Sequence, residues 1–99
     1  MLHILIVRYT VPADQVTPHV AEHVAYLEHH HADGTFLLSG QTVPADIGGV
    51  ILAQGERASV EGVSAEDPFV AAGVAEHEVI TVDPGRVDPS LATLLPRAR

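Results

Sequence analysis

The alternation of apolar and polar residues predicts four strands and two main helices in the order β-α-β-β-α-β. Between residues 2 and 9 both sets of alternate positions are largely apolar, which is typical of a strand covered on both faces. Further strands are predicted over residues 35–40, 49–54 and 74–82, each bounded by Gly, Pro or Asp, and the first two of these form a hairpin pair. This order predicts the ferredoxin-like α+β fold, a four-stranded antiparallel sheet with both helices on one face.

The first helix is expected to begin between residues 13 and 18 and to end at Asp33-Gly34. Its predicted inward stripe consists of residues at helical spacing, namely Val16, Val20, Val24, Leu27 and His31. A second helix over residues 56–65 is followed by a helical turn that starts at Asp67-Pro68. Asp is a favoured N-cap and proline is harmless at the first helical position, so this dipeptide indicates a helix start.

The length of 99 residues corresponds to one domain with its own core. We expect the domain to comprise residues 1–83 and a tail with one short helix to comprise residues 84–99. Because strands 1 and 2 are apolar on both sides, a monomer would expose an apolar sheet face. We therefore expect a homodimer, a dimeric α+β barrel with two sheets packed face to face and a cleft between sheet and helices.

The composition excludes several classes of function. There is no cysteine, so disulfides, thiol nucleophiles and thiolate metal sites are unavailable. Five basic residues, all arginine, stand against thirteen acidic ones, which gives a net charge of −8 and predicts no nucleic-acid binding. The apolar opening lacks a basic segment, and no apolar run approaches the ~20 residues that span a bilayer. We expect a cytoplasmic protein without a membrane partner.

His23 and Asp67 are the candidates for chemistry. On a helical wheel His23 falls on the inward side of the first helix, and Asp67 lies at the N-terminus of the helical turn that follows the second helix. An imidazole and a carboxylate in contact can transfer protons near neutral pH. The alternative for His23 is a core histidine bonded to a backbone carbonyl, and for Asp67 a plain cap. The same dipeptide occurs at Asp88-Pro89, where no catalytic partner is evident, so Asp-Pro alone indicates a cap.

Two other kinds of site are less well supported. His19, His23 and His30 line one side of a helix, but no adjacent acid completes a zinc set, so we expect no metal. Ser39-Gly40 ends a strand where a small ligand could approach the backbone, although the context of a serine hydrolase is missing. Gly48-Gly49 lacks the other residues of a phosphate loop and is interpreted as a hairpin turn.

Six short stretches resemble the YciI-like (YCII-related) family in order and spacing over residues 1 to about 82, namely residues 9–10, 23–27, 36–40, 48–51, 67–69 and 73–76. The resemblance implies a ferredoxin-like dimer with a cleft in which His23 and Asp67 form an acid/base pair. One branch of the family is similar to dehydrochlorinases of chlorinated hydroxyquinols, and the fold also resembles muconolactone isomerases. Gln41, His77 and the tail beyond Asp83 depart from the family pattern.

The leading functional hypothesis is a small enzyme without a cofactor, in which Asp67 orients His23 as general base or acid. Proton transfer, isomerisation or elimination on a small, aromatic or lactone-like substrate fits these residues, since none of these reactions needs a strong nucleophile. We expect Tyr26, Ser39, Gly40 and Phe69 to bind the substrate. The alternative is a non-catalytic dimeric ligand-binding or accessory protein.

Overall fold

The computed structural model describes residues 1–95, which form a four-stranded antiparallel sheet with helices on one face. The strand order β2-β3-β1-β4 and the α+β ferredoxin-like arrangement confirm the predicted fold class. The strands are β1 (Leu2–Tyr9), β2 (Phe36–Gln41), β3 (Gly48–Gln54) and β4 (Ala75–Val82). The helices are α1 (Ala13–Val16), α2 (Val20–Ala32), α3 (Arg57–Ala65), α4 (Pro68–Ala71) and α5 (Pro89–Ala92). The last part of the predicted tail, residues 96–99, lies outside the described residues.

The core lies between the helices and one face of the sheet. In the central strand β1 the odd-numbered residues His3, Leu5 and Val7 are buried, and the even-numbered residues between them are only partly covered. The antiparallel register places Ile51 opposite Leu5 on β3 and His77 opposite Val7 on β4. Because side chains alternate across a strand, these odd positions share the face that packs on the helices.

In the first helical segment, the buried residues differ from those of the predicted inward stripe. Residues 17–19 form a 3-10 turn between α1 and α2, which has three residues per turn instead of 3.6 and so rotates the following helix. Within α2 Tyr26 and His30 are buried, whereas Val20 and Val24, which line a cavity between α2 and the sheet, remain 42% and 43% exposed. The predicted burial of His31 is also wrong, since this side chain is exposed.

A glycine contact fixes the start of β3. Gly48 has a φ of +147°, and a Cβ at this position would lie 1.8 Å from the carbonyl oxygen of Val7. Only glycine therefore allows β3 to approach β1 this closely at its first residue. The Gly48-Gly49 pair thus begins a strand of the hairpin, and it is not the turn itself.

The other face of the sheet carries an apolar row. The register aligns Leu38, Leu52, Ile4 and Ile80 across all four strands. Leu38 is 52% exposed and Ile80 is 40% exposed, so the ends of this row are open to solvent. The helices α2, α3 and α4 contact the strands on the opposite face, and the row agrees with the apolar character predicted for β1 and β2.

Candidate active site

Asp67 is the centre of the candidate site, and its side chain is fully buried at the start of α4. Its Oδ1 accepts a hydrogen bond from the backbone N–H of Phe69 at 2.9 Å, as expected of an N-cap. The same oxygen lies 2.8 Å from His23 Nδ1, and Oδ2 lies 2.7 Å from His77 Nε2. One carboxylate therefore combines a capping bond with contacts to two imidazoles.

His23 reaches Asp67 from α2, with 14% of its side chain exposed. An ionised carboxylate only accepts hydrogen bonds, so His23 donates through Nδ1–H, and in the neutral ring the lone pair is then on Nε2. The imidazole stacks on the Phe69 ring, with 3.9 Å between ring centroids and 6° between planes. The hydrogen bond and the stacking together fix the ring, and within residues 1–95 no protein group bonds to Nε2.

His77 is a residue of the site that was not predicted from the sequence, where it appears only as a departure from the family pattern. It lies on β4 and bonds through Nε2 to Asp67, while its Nδ1 lies 2.7 Å from Ser64 Oγ on α3. The signal was present in the alternation of β4, because Ala75, His77 and Val79 fall on the side of the sheet that faces the helices.

These contacts determine the charge of the site. Burial alone would raise the pKa of Asp67, but the hydrogen bonds from His23, His77 and the Phe69 N–H outweigh it and lower this pKa to about 2. Asp67 is therefore ionised throughout the neutral range. Burial, with the nearby negative charges of Asp67 and Glu66, raises the pKa of Tyr26 well above its usual range.

A cavity of about 230 Å³ lies between the first turns of α2 and the sheet, next to His23. Its walls are mostly apolar, and its polar side chains are few. The residues lining it are Val7, Tyr9, Val20, His23, Val24, Leu27, Ser39, Gly40, Gln41, Gly48, Gly49, Val50, Ile51 and Phe69. An engineered cavity of about 150 Å³ can hold benzene, so this space suits a single substituted ring.

Three of the four predicted substrate-binding residues, Ser39, Gly40 and Phe69, line this cavity. Tyr26 does not, because its ring packs edge-on against Phe36 in the core and its hydroxyl donates to the carbonyl oxygen of Val63 at 2.6 Å. The position of Tyr26 is therefore that of a core residue linking α2 to α3, and its prediction as a substrate contact is not supported by the structure.

The remaining histidines of α2 are arranged differently from the set considered for zinc. His29, His30 and Asp33 each offer one ligand atom within 4.8 Å of one another, and His23 is not part of this group. His30 Nδ1 already lies 3.0 Å from Asp33 Oδ2, which is a hydrogen bond across the end of the helix. His31 Nε2 contacts Ser39 Oγ at 2.8 Å beside the cavity.

The family model of the YCII-related domain matches residues 1–83. The chain belongs to the YCII-related family. Among solved structures, this YCII-related chain is similar to the 5-chloro-2-hydroxyhydroquinone dehydrochlorinase TftG of Burkholderia phenoliruptrix AC1100, in complex with 2,5-dihydroxybenzoquinone. The TM-score is 0.68 at 25% sequence identity, and the match covers 86% of this chain and 96% of that chain.

No curated protein matches the chain significantly. Within the described residues, no helix has both the length and the apolar character needed to cross a membrane.

Proposed function

We propose that this protein is a small-molecule enzyme that eliminates HCl from, or moves a proton within, a small hydroxylated aromatic ring. The observation that carries the proposal is the position of His23, which contacts Asp67 through one nitrogen and borders an apolar cavity with the rest of its ring. The similarity to a dehydrochlorinase supports the reaction class. Asp67 and His23 are the proposed catalytic pair.

The proposed chemistry starts with His23 Nε2 as the general base. It takes a proton from one ring hydroxyl of the substrate, the electron pair moves into the ring, and the imidazolium delivers this proton to the carbon that bears chlorine, which becomes tetrahedral. Nε2 then takes the proton of a second ring hydroxyl, a new C=O bond forms, and the electron pair displaced into the ring expels chloride, so that HCl is lost overall. The imidazolium that forms on His23 is stabilised by the negative charge of Asp67 at 2.8 Å. In an isomerisation the same imidazolium returns the proton to another atom. Neither sequence of steps needs a cofactor.

The binding side of the proposal rests on the cavity walls. Ser39 and Gln41 offer hydrogen-bonding side chains on β2, and Phe69 offers an aromatic face. Gly40 and Gly49 have no side chains, which leaves room for a ring between β2, β3 and α2. A flat hydroxylated ring matches this combination of apolar walls and few polar groups.

The test uses 5-chloro-2-hydroxyhydroquinone as substrate and measures chloride release, with 2,5-dihydroxybenzoquinone as a binding probe. We expect chloride release by the wild type and a fall in kcat of about 10²-fold or more in His23→Gln, which can still donate to Asp67 but is not a base at neutral pH. His29→Gln, an exposed change on the same helix, is the control and should retain activity.

The same experiment distinguishes an enzyme from a non-catalytic ligand-binding or accessory protein. If the quinone binds, no chloride is released and His23→Gln binds as the wild type does, the protein is a ligand-binding or accessory protein. If other proton-transfer substrates, including lactones, are turned over with the same dependence on His23, the acid/base pair stands and the aromatic substrate class is replaced.

We also propose a homodimer that covers the apolar row of Leu38, Leu52, Ile4 and Ile80. Both ends of the row are exposed, and its residues are aligned across the whole sheet in strand register. A second copy presents the same surface by two-fold symmetry, so the two sheets can cover each other.

A further inference from the structure

The proposed reaction uses one oxygen of Asp67 and leaves the other unexplained. Oδ2 contacts His77 Nε2 at 2.7 Å, and only 3% of the His77 side chain is exposed. A cap would need one oxygen, and an acid/base pair with His23 would need no second imidazole. His77 is therefore a buried titratable group for which neither the cap nor the proposed chemistry accounts.

The hydrogen-bond directions around His77 follow from its two partners. Because Asp67 is ionised and can only accept, His77 donates through Nε2–H. In the neutral ring Nδ1 then has a lone pair and accepts from the hydroxyl of Ser64, 2.7 Å away on α3. The hydroxyl of Ser64 therefore pairs with the tautomer that has its hydrogen on the nitrogen facing Asp67.

These directions exclude a proton relay through Asp67. Both nitrogens that face the carboxylate, His23 Nδ1 and His77 Nε2, already carry a hydrogen. A proton passed from one ring to Asp67 would meet an occupied nitrogen on the other ring and could not continue. His77 can influence His23 only through the position and the charge of the carboxylate between them.

We propose that His77, held by Ser64 in the tautomer that donates to Asp67, is a positioning residue that keeps this carboxylate directed at His23. The catalytic consequence rests on the proposed function, whereas the hydrogen-bond arrangement does not. Two fixed oxygens prevent rotation of the carboxylate, so Oδ1 stays opposite His23 Nδ1 when the imidazolium forms.

The charged and titratable groups around the proposed arrangement come from several elements. Asp67 faces His23 from α2 and His77 from β4, and its charge also acts on Tyr26. On the outer side His77 borders a second cavity of about 280 Å³, which Glu61 of α3 also lines. The charge of Glu61 is paired with the guanidinium of Arg57 at 3.0 Å.

The tautomers are tested first, in the wild-type protein without ligand. Ring nitrogen-15 chemical shifts in NMR distinguish a nitrogen that carries a hydrogen from one that does not. We expect His77 to be protonated at Nε2 and unprotonated at Nδ1, and His23 to show the opposite pattern. A hydrogen on His77 Nδ1 with a bare Nε2 at neutral pH would overturn the proposal.

The second test compares His77→Gln with His77→Phe by following the carbon-13 resonance of the Asp67 carboxyl against pH. The glutamine amide can replace the Nε2–H donor, so the pKa of Asp67 should stay close to the wild-type value. Phenylalanine removes the donor, so this pKa should rise. His3→Phe is the matched control, because His3 is an equally buried imidazole bonded at both nitrogens that does not touch Asp67.

Turnover of 5-chloro-2-hydroxyhydroquinone gives the catalytic readout. We expect kcat to fall about tenfold or more in His77→Phe with little change in KM, and His77→Gln to recover most of it. If His77→Phe does not fold, Ser64→Ala takes its place. It should change the His77 nitrogen shifts and lower kcat by a smaller factor.

The outcomes separate this inference from the proposed function. An Asp67 pKa that is the same in His77→Phe as in the wild type would overturn the inference whatever the activity. A raised pKa with unchanged kcat would also overturn it. If the wild type releases no chloride, the proposed reaction fails, and the NMR measurements still decide whether His77 and Ser64 position Asp67.

Discussion

Asp67 accepts three hydrogen bonds with two oxygens, and these bonds make the stability of the fold depend on pH in the acidic range. Its pKa of about 2 lies below the value of 3.8 expected for an unperturbed Asp. A carboxyl with a lowered folded-state pKa stabilises the fold fully above its unfolded pKa, and this contribution is lost as the pH falls through the folded pKa. The window for Asp67 is therefore about pH 4 down to about pH 2.

We predict that Asp67→Asn removes roughly 2 kcal/mol of the free energy of unfolding at pH 7 and most of the loss of stability between pH 4 and 2. The amide still caps α4, and His77 can exchange its tautomer to accept from the new NH₂ group. Urea unfolding at a series of pH values measures this. Asp88→Asn is the matched control, since Asp88 caps α5 through Ser90 N–H without an imidazole. Equal acid profiles for the two variants would contradict the prediction.

The residues of the site could be predicted from the sequence to different degrees. His23 and Asp67 followed from a helical wheel, a capping dipeptide and the family resemblance, and the structure places them 2.8 Å apart. Tyr26 was predicted to contact the substrate, but its hydroxyl donates to a partner in α3 that no local pattern reveals. The alternation of β4 assigns His77 to the side that faces the helices, but its contact with Asp67 also depends on the pairing of β4 with β1, which is a long-range property of the sheet.

At the scale of elements, the approach of β3 to β1 depends on one glycine. We predict that Gly48→Ala destabilises the protein by more than about 2 kcal/mol, because the new methyl group would clash with the Val7 carbonyl and the backbone would be strained. Gly62→Ala on α3 is the control, where nothing lies within 4 Å of the added Cβ. It should stabilise the helix by about 0.5–1 kcal/mol.

Thermal unfolding of both glycine variants gives the comparison, and a Gly48→Ala protein as stable as the wild type would show that β3 can move away from β1. The effect should extend to ligand binding, since Gly48 and Gly49 line the cavity beside His23.

The elements themselves were largely predictable, and the exceptions have physical reasons. The order of helices and strands followed from periodicity and from Gly, Pro and Asp at the boundaries, with errors of one or two residues at the ends. The phase of α2 did not follow, because the 3-10 turn at Thr17–His19 interrupts the period on which a helical wheel relies.

At the scale of the whole molecule, the apolar row on the open sheet face predicts association. We expect light scattering to give twice the mass of one chain for the wild type, and the mass of one chain for the double variant Leu38→Glu with Ile80→Glu. The introduced carboxylates would have to be buried in the sheet-on-sheet contact. Val43→Glu, at a loop position that is 98% exposed, should leave the mass unchanged.

A wild-type protein that has the mass of one chain in dilute solution would contradict the proposed dimer. The proposed reaction would survive, since every group of the candidate site and all the walls of the cavity described here come from one chain.

The alternation of β1 assigns neighbouring residues of one strand to two different surfaces. Its odd-numbered residues face the helices, where Val7 and Tyr9 border the cavity, and its even-numbered residues Ile4 and Ile6 belong to the opposite face. A substitution at an even position can therefore alter which surface the protein recognises without altering its chemistry, and a substitution at an odd position can do the reverse. Variants of β1 can therefore test the proposed dimer and the proposed chemistry separately, one face at a time.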